Sequence, residues 1–485
     1  MAHDLVPELL RRATEALEQQ FAYLQGQEAA MGRGSESAVG ADAMERVLEA
    51  TAQRLADNYP YFHPLYAGQM LKPPHPVARA AYALAMTINP NNHARDGGRA
   101  SSDMEVEAVR EIASVFGWAQ DRYLGHLTSS GTLANLEALW MAGQLAPGKR
   151  IVGSEQAHYT HRRISGVLRL DYAAIAADNR GRMDPEALES ELRKGDVGAI
   201  VVTLGTTAIG AVDPLDEILA LRERYSFRVH VDAAYGGYFG LIADELGEPA
   251  RRAYAAAGQA DSIVIDPHKH GLQPYGCGCV LFRDPALARF YKHESPYTYF
   301  TSKNPPLHPS EENSFAGRPV HLGEISLECS RAGAAAVALW ATQRLLPLVP
   351  GGEFARGLSC GRKAARELHQ RLRNDPRFET MASGGTKLNL EREPELDIVV
   401  WKVKAESAER ASALAREIFD RCAAKHLHLA LVQLPHSWFE NLAGARNQGG
   451  LVTCLRSVLM KTEHEAWLDR IWDRLSEATG ETVGA

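Results

Sequence analysis

The chain has 485 residues, 45% of them hydrophobic and 23% charged, which is enough for two or three domains and a substantial core. A formal net charge of −7 argues against nucleic acid or an anionic membrane as the main partner, since both reward clustered Lys and Arg. Six scattered cysteines fit reduced thiols better than a disulfide framework, and the Cys277-Gly-Cys279 pair lacks a companion pair at metal-finger spacing, so no metal is expected.

In chain order, the opening "MAHDLVPELLRRATEALEQQF" has no basic-then-apolar leader and nothing later is long and apolar enough to span a bilayer, so a cytoplasmic location is expected. Residues 1–90 read as a helical arm, with apolar positions every three or four residues in "LVPELLRRATEALEQQFAYL" and "AMERVLEATAQRLADNYP". Over 91–345 the runs "RIVGSEQAH", "GAIVVTLGTT", "FRVHVDAAYGG", "DSIVIDPHKH" and "GCGCVLFRD" alternate with helical segments. Apolar runs separated by helices imply an α/β domain whose mainly parallel central sheet is flanked by helices. The segment "LECSRAGAAAVALWATQRLLPLV" reads as one long helix ending at "PGGE", and 346–485 as a small C-terminal α+β domain.

In open α/β sheets the ligand sits beyond the carboxyl ends of the strands. Four such ends present His158, then Thr203, Thr206 and Thr207, then Asp232, then His268 and Lys269. A lone lysine at a strand end is ordinarily a solvated charge. Together with a carboxylate, a histidine and hydroxyls it asks for an aldehyde cofactor that carries a phosphate. Pyridoxal phosphate needs an amine for its aldehyde, an acid for its ring nitrogen and a phosphate cradle. The cradle is "HLTSSGTLANLEALW": Ser130, Gly131 and Thr132 precede a helix whose apolar face is expected to run Leu133, Leu136, Leu139, Trp140. His268 and His270 could suggest a metal pair, but no carboxylate accompanies them at ligand spacing.

These motifs, in this order over roughly residues 55–475, resemble the group II pyridoxal-phosphate amino-acid decarboxylases of fold-type I, and most of all the bacterial tyrosine decarboxylases. The resemblance implies that Lys269 of "DPHK" forms the Schiff base and that Asp232 of "HVDAAYGG" partners the ring nitrogen. It also places Ala234 against the ring, His158 stacked on it, His268 near the phosphate and Thr207 near the cofactor. A loop tyrosine, contributed across a homodimer interface, would protonate the reacting carbon. Tyr299 takes that place in "HESPYTYFTSKNPPLHPSEENSFAG", with Tyr297 as the alternative.

Arg456 in "LVTCLRSVLM" is nominated for the substrate carboxylate, while Arg331 sits in a second family-like motif and suits a structural role. The expected substrate is an aromatic L-amino acid. His63, Gln69, Asn92, His93 and Arg95 are polar enough to receive an acidic side chain instead. The chain departs from the tyrosine enzymes in being shorter and in carrying His270 where many relatives have tryptophan. The competing expectations are a carbon–carbon lyase resembling sphingosine-phosphate lyase, an aminotransferase, and a scaffold without turnover. An intact Lys269, Asp232, His158 and cradle weigh against the last.

Overall fold

A computed structural model describes residues 2–21, 40–94, 96–118, 123–291, 314–315, 318–319, 322, 325–381, 393–439 and 450–483. Tyr299, Tyr297 and Arg95 lie outside the described residues, so the structure carries nothing on them.

The central sheet has seven strands: β1 Leu124–Thr128, β2 Arg150–Ser154, β3 Tyr172–Ile175, β4 Val197–Thr203, β5 Arg228–Asp232, β6 Ser262–Ile265 and β7 Gly278–Phe282, in the order β1-β7-β6-β5-β4-β2-β3. The pairs β3–β2, β2–β4, β4–β5 and β5–β6 are parallel, while β7 runs antiparallel between β6 and β1. All residues of β4, β6 and β7 are buried. This two-sided burial is why those strands are apolar throughout rather than alternating. Two strands escaped the sequence reading: "LGHLT" and "YAAI" are short and rich in Gly, His and Ala, with little β-branched signal.

The second sheet is antiparallel, in the order β10-β11-β13-β12, from β10 Phe378–Thr380, β11 Ile398–Val403, β12 Ala430–Pro435 and β13 Leu451–Val458. Side chains from helices Glu353–Asn374, Ala408–Ala424 and His464–Val483 share a core cluster with it around Trp401, Phe378, Leu455 and Ile471. A two-residue ladder, β8 Ser314–Phe315 with β9 Arg318–Pro319, lies between the two sheets in sequence.

Three expectations change. Residues between helices Ala41–Leu55 and Pro76–Met86 are not helical. Instead the backbone of 65–67 is stitched to the C-terminal unit, by Ala67 N–H to the His428 carbonyl (2.9 Å), His428 N–H to that of Leu65 (2.9 Å) and Val458 N–H to that of Ala67 (2.7 Å). The helix expected from "LECSRAGAAAVALWATQRLLPLV" starts at Gly333 and ends at Leu345. Its first residues are diverted because Arg331 pairs with Glu105 at 2.8 Å and donates to the Leu127 carbonyl at 2.6 Å.

The third change is in helix Gly131–Leu145, which has no single apolar face. Ala134, Asn135, Glu137, Ala138, Leu139, Met141 and Ala142 are buried, whereas Leu133, Leu136 and Trp140 are only half-buried. Because it packs on the sheet and is also covered from outside, small and polar residues line its close contacts.

Candidate active site

The strand ends converge as the sheet order requires, since β2, β4, β5 and β6 are consecutive neighbours. Asp232 closes β5 and is buried. Its Oδ2 accepts from His161 Nε2 at 2.7 Å and its Oδ1 from the Ala234 N–H at 3.1 Å. Burial alone would raise its pKa, but the hydrogen bond from His161 and the nearby Lys269 ammonium hold it well below the usual carboxylate range. Asp232 is therefore a carboxylate at neutral pH, with a cationic ring nitrogen as a fitting partner.

Lys269 stands four residues beyond the end of β6, with its Nζ 3.0 Å from Asp266 Oδ2. Burial pushes its amine down, but the carboxylates of Asp266 and Asp232 outweigh that and hold it above the ordinary lysine value. Asp266 also explains why residue 131 is glycine, because a Cβ there would stand 2.4 Å from Asp266 Oδ1. Asp266 was missed in the sequence; the i, i+3 spacing inside "DPHK" was the available signal.

His268 donates Nδ1–H to the Cys277 carbonyl at 2.7 Å, which leaves Nε2 facing Asp266 Oδ2 at 3.5 Å. Its ring lies against Tyr275 at 4.8 Å between centroids, tilted by 34°. His158 is half-buried, with Nδ1 2.7 Å from Thr160 Oγ1. Burial lowers its pKa, with Asp232 opposing and Lys269 assisting, so the imidazole is neutral near pH 7. Ser130 caps helix Gly131–Leu145, its Oγ accepting from Leu133 N–H at 3.3 Å, and Thr132 is exposed in the first turn. Ala234 is buried beside Asp232.

Thr207 is exposed and its carbonyl accepts from Arg456 Nη2 at 2.8 Å. Arg456 Nη1 reaches the Gly68 carbonyl at 3.3 Å and Gln69 Oε1 at 3.5 Å, so this buried guanidinium ties β13 to the Thr207 loop and to the N-terminal segment. Its Nε has no hydrogen-bond partner. Behind it the Tyr235 hydroxyl donates to Asp397, whose buried carboxyl is pushed up to about 6. His270 is buried 3.3 Å from Asp397, with Tyr235 and Phe239 against its ring.

His93 lies apart from these contacts, half-buried in a turn where its N–H donates to Asn91 Oδ1 at 3.0 Å; the neighbouring Asn92 N–H reaches the Arg331 carbonyl. Among the described residues no helix is long and apolar enough to cross a membrane, and no group of three His, Cys, Asp or Glu is placed to hold a metal.

A buried carboxylate and an amine at adjacent strand ends, beside a helix start kept open by glycine, fit the ring nitrogen, aldehyde and phosphate of pyridoxal phosphate. Fold and donor set together define a fold-type I pyridoxal-phosphate enzyme. Residues 40–390 match the pyridoxal-dependent decarboxylase conserved domain, and the chain belongs to that family. Pyridoxal phosphate is its cofactor and decarboxylation of an amino acid its activity.

The chain is 28% identical to an L-tyrosine decarboxylase of Enterococcus faecium, with 78% of this chain and 76% of the relative covered. It is 27% identical to a probable L-tyrosine/L-aspartate decarboxylase of Methanothermobacter thermautotrophicus, over 69% and 82%. Among solved structures, that of Oryza sativa TDC with PLP and tryptamine has a TM-score of 0.72 at 18% identity, covering 99% of this chain and 98% of that one. The family match does not favour the carbon–carbon lyase alternative.

Proposed function

We propose that the chain decarboxylates an aromatic L-amino acid to its amine, with Lys269 as the residue that holds the cofactor aldehyde. The observation that carries this reading is the pairing of a buried Asp232 carboxylate with the Lys269 amine at the ends of β5 and β6. When bound, pyridoxal phosphate supplies a carbonyl for the substrate amine and a ring that accepts the electron pair left by CO2.

The chain's residues then have defined tasks. Asp232 would hold the ring nitrogen's proton, and neutral His158 and Ala234 would pack against the ring. Ser130, Gly131, Thr132 and His268 surround the phosphate, with Thr207 close by. Arg456, whose Nε–H is not spent on a protein acceptor, orients the substrate carboxylate. His93 is assigned to the substrate's approach, and Tyr299, or Tyr297, to proton delivery.

The aromatic preference is supported by the tyrosine decarboxylase relatives and by the ring cluster of Tyr59, Tyr61 and Tyr66, on the segment that Arg456 ties down, with His428 of the C-terminal unit. An acidic substrate is the second reading. Lys461 Nζ lies 5.3 Å over the Tyr66 ring, and burial pushes its amine down to about 7.

We also propose a cytoplasmic homodimer, with an arm at 1–90, a cofactor domain at 91–345 and a small domain at 346–485. Helices Ala2–Gln20 and Ala41–Leu55 support the dimer, because Leu5, Leu9, Met44, Val47, Leu48 and Leu55 are each 52–67% exposed. Light scattering that gives a monomer mass would remove it. Holoenzyme incubated with single L-amino acids, aromatic and acidic, tests the substrate. Amine from tyrosine, tryptophan or phenylalanine supports the aromatic pocket, and amine only from aspartate or glutamate transfers the specificity to the second reading.

A further inference from the structure

Asp232 is not alone in its pocket. His161, in the first turn of helix Thr160–Val167, is fully buried and places Nε2 2.7 Å from Asp232 Oδ2. Its Nδ1 is buried and has no hydrogen-bond partner. A carboxylate oxygen can only accept, so it is Nε2 of His161 that carries the hydrogen shared with Asp232 Oδ2.

His230 lies on the same face of β5 as Asp232, two residues earlier, its ring 6.3 Å from that of His161. His230 Nδ1 is 2.9 Å from Ser262 Oγ and Nε2 is 2.8 Å from Asn135 Oδ1. Asn135 in turn donates to the Gly131 carbonyl at 2.9 Å, in the first turn of the cradle helix. The titratable groups facing His161 are Asp232, His230 and His158, with Lys269 beyond Asp232.

We propose that His161 is a positioning residue for decarboxylation: its Nε2–H fixes the plane of the Asp232 carboxylate and keeps it a proton acceptor for the cofactor's ring nitrogen. The inference rests on the assignment of Asp232 made above. Without the donor, Oδ2 sits unpaired in a dry pocket, and the carboxylate competes with the ring nitrogen for the proton. The ring then draws electrons less well, and the cofactor is held less tightly.

The test compares His161→Gln, whose amide nitrogen reaches the Nε2 position, with His161→Asn, whose amide stops at the Nδ1 position, and with His161→Leu, which has no donor. Each apoprotein is titrated with pyridoxal phosphate, the absorption band of the bound cofactor is recorded, and kcat and KM are measured on the best substrate. The Asn and Leu variants are expected to bind cofactor about 10-fold or more weakly and to lose kcat at unchanged KM, whereas Gln stays within about threefold of the parent.

Equal behaviour of Asn and parent, or equal damage in Gln and Asn, would overturn the proposal. If the Leu variant does not fold, the Gln–Asn pair decides alone. Asp232→Asn separates the two levels. If it leaves cofactor affinity and kcat untouched, the assignment of Asp232 itself fails; if it abolishes both while the His161 variants resemble the parent, only the role of His161 falls.

Discussion

Gly278→Ala tests how the sheet sets the phosphate cradle. A Cβ at Gly278 would stand 2.6 Å from the backbone carbon of Ser130 and 2.8 Å from the backbone N of Gly131, against an ordinary contact of 3.4 Å or more. The difference, 3.4 minus 2.6, is a displacement of about 0.8 Å. β7 cannot yield, because it pairs with β1 on one side and β6 on the other, so the start of helix Gly131–Leu145 must move.

Overpacking of this kind costs about 1–3 kcal/mol of stability. Each lost hydrogen bond to the dianion costs about 1.5 kcal/mol or more, roughly tenfold in cofactor affinity. The assay is titration of apoprotein with pyridoxal phosphate, with thermal unfolding measured alongside. Gly198→Ala is the control: its Cβ would meet the side chains of Lys149 and Ala146 at 2.7 and 2.9 Å, at the opposite end of the helix whose start forms the cradle. Both variants should melt lower, but only Gly278→Ala should bind cofactor at least tenfold more weakly, as about one lost charged hydrogen bond requires. Unchanged affinity in Gly278→Ala would refute the reasoning.

Asp266→Asn removes the carboxylate that holds Lys269 charged, so apoprotein should capture cofactor faster at pH 7 and with a flatter rise toward high pH; slower capture at every pH would contradict this. Arg456→Met should raise KM for the amino acid by about 10- to 100-fold, the worth of a charged hydrogen bond, as read from initial rates. His464 is buried neutral with its pKa pushed down to about 3, so its contribution is complete above the unfolded value near 6.5 and is lost as pH falls. It should cost about 2 kcal/mol at pH 5, and His464→Gln should flatten the urea midpoint between pH 7 and 5; parallel curves would refute the burial argument.

The strands that carry chemistry were legible because a sheet covered on both faces writes itself as unbroken apolar runs, as in "GAIVVT" and "SIVI". The placement of Lys269, Asp232 and His158 at or just beyond the ends of β6, β5 and β2 was legible from the strand runs that precede them. What the sequence did not disclose were partners chosen across the fold: His161 for Asp232 over 71 positions, Glu105 for Arg331 over 226, and Tyr235 for Asp397 over 162. No local period marks a buried hydrogen bond between distant segments. The extended stretch before His75 was hidden for a similar reason, since its backbone bonds are made by residues at His428 and Val458.

The most direct measurement is to reduce the holoenzyme with borohydride, digest it and locate the cofactor by mass spectrometry. The account predicts a single modified peptide with the pyridoxyl group on Lys269, and none in Lys269→Ala. Label on another lysine, or a Lys269→Ala protein that still releases CO2 from its amino acid at the parent rate, would contradict it.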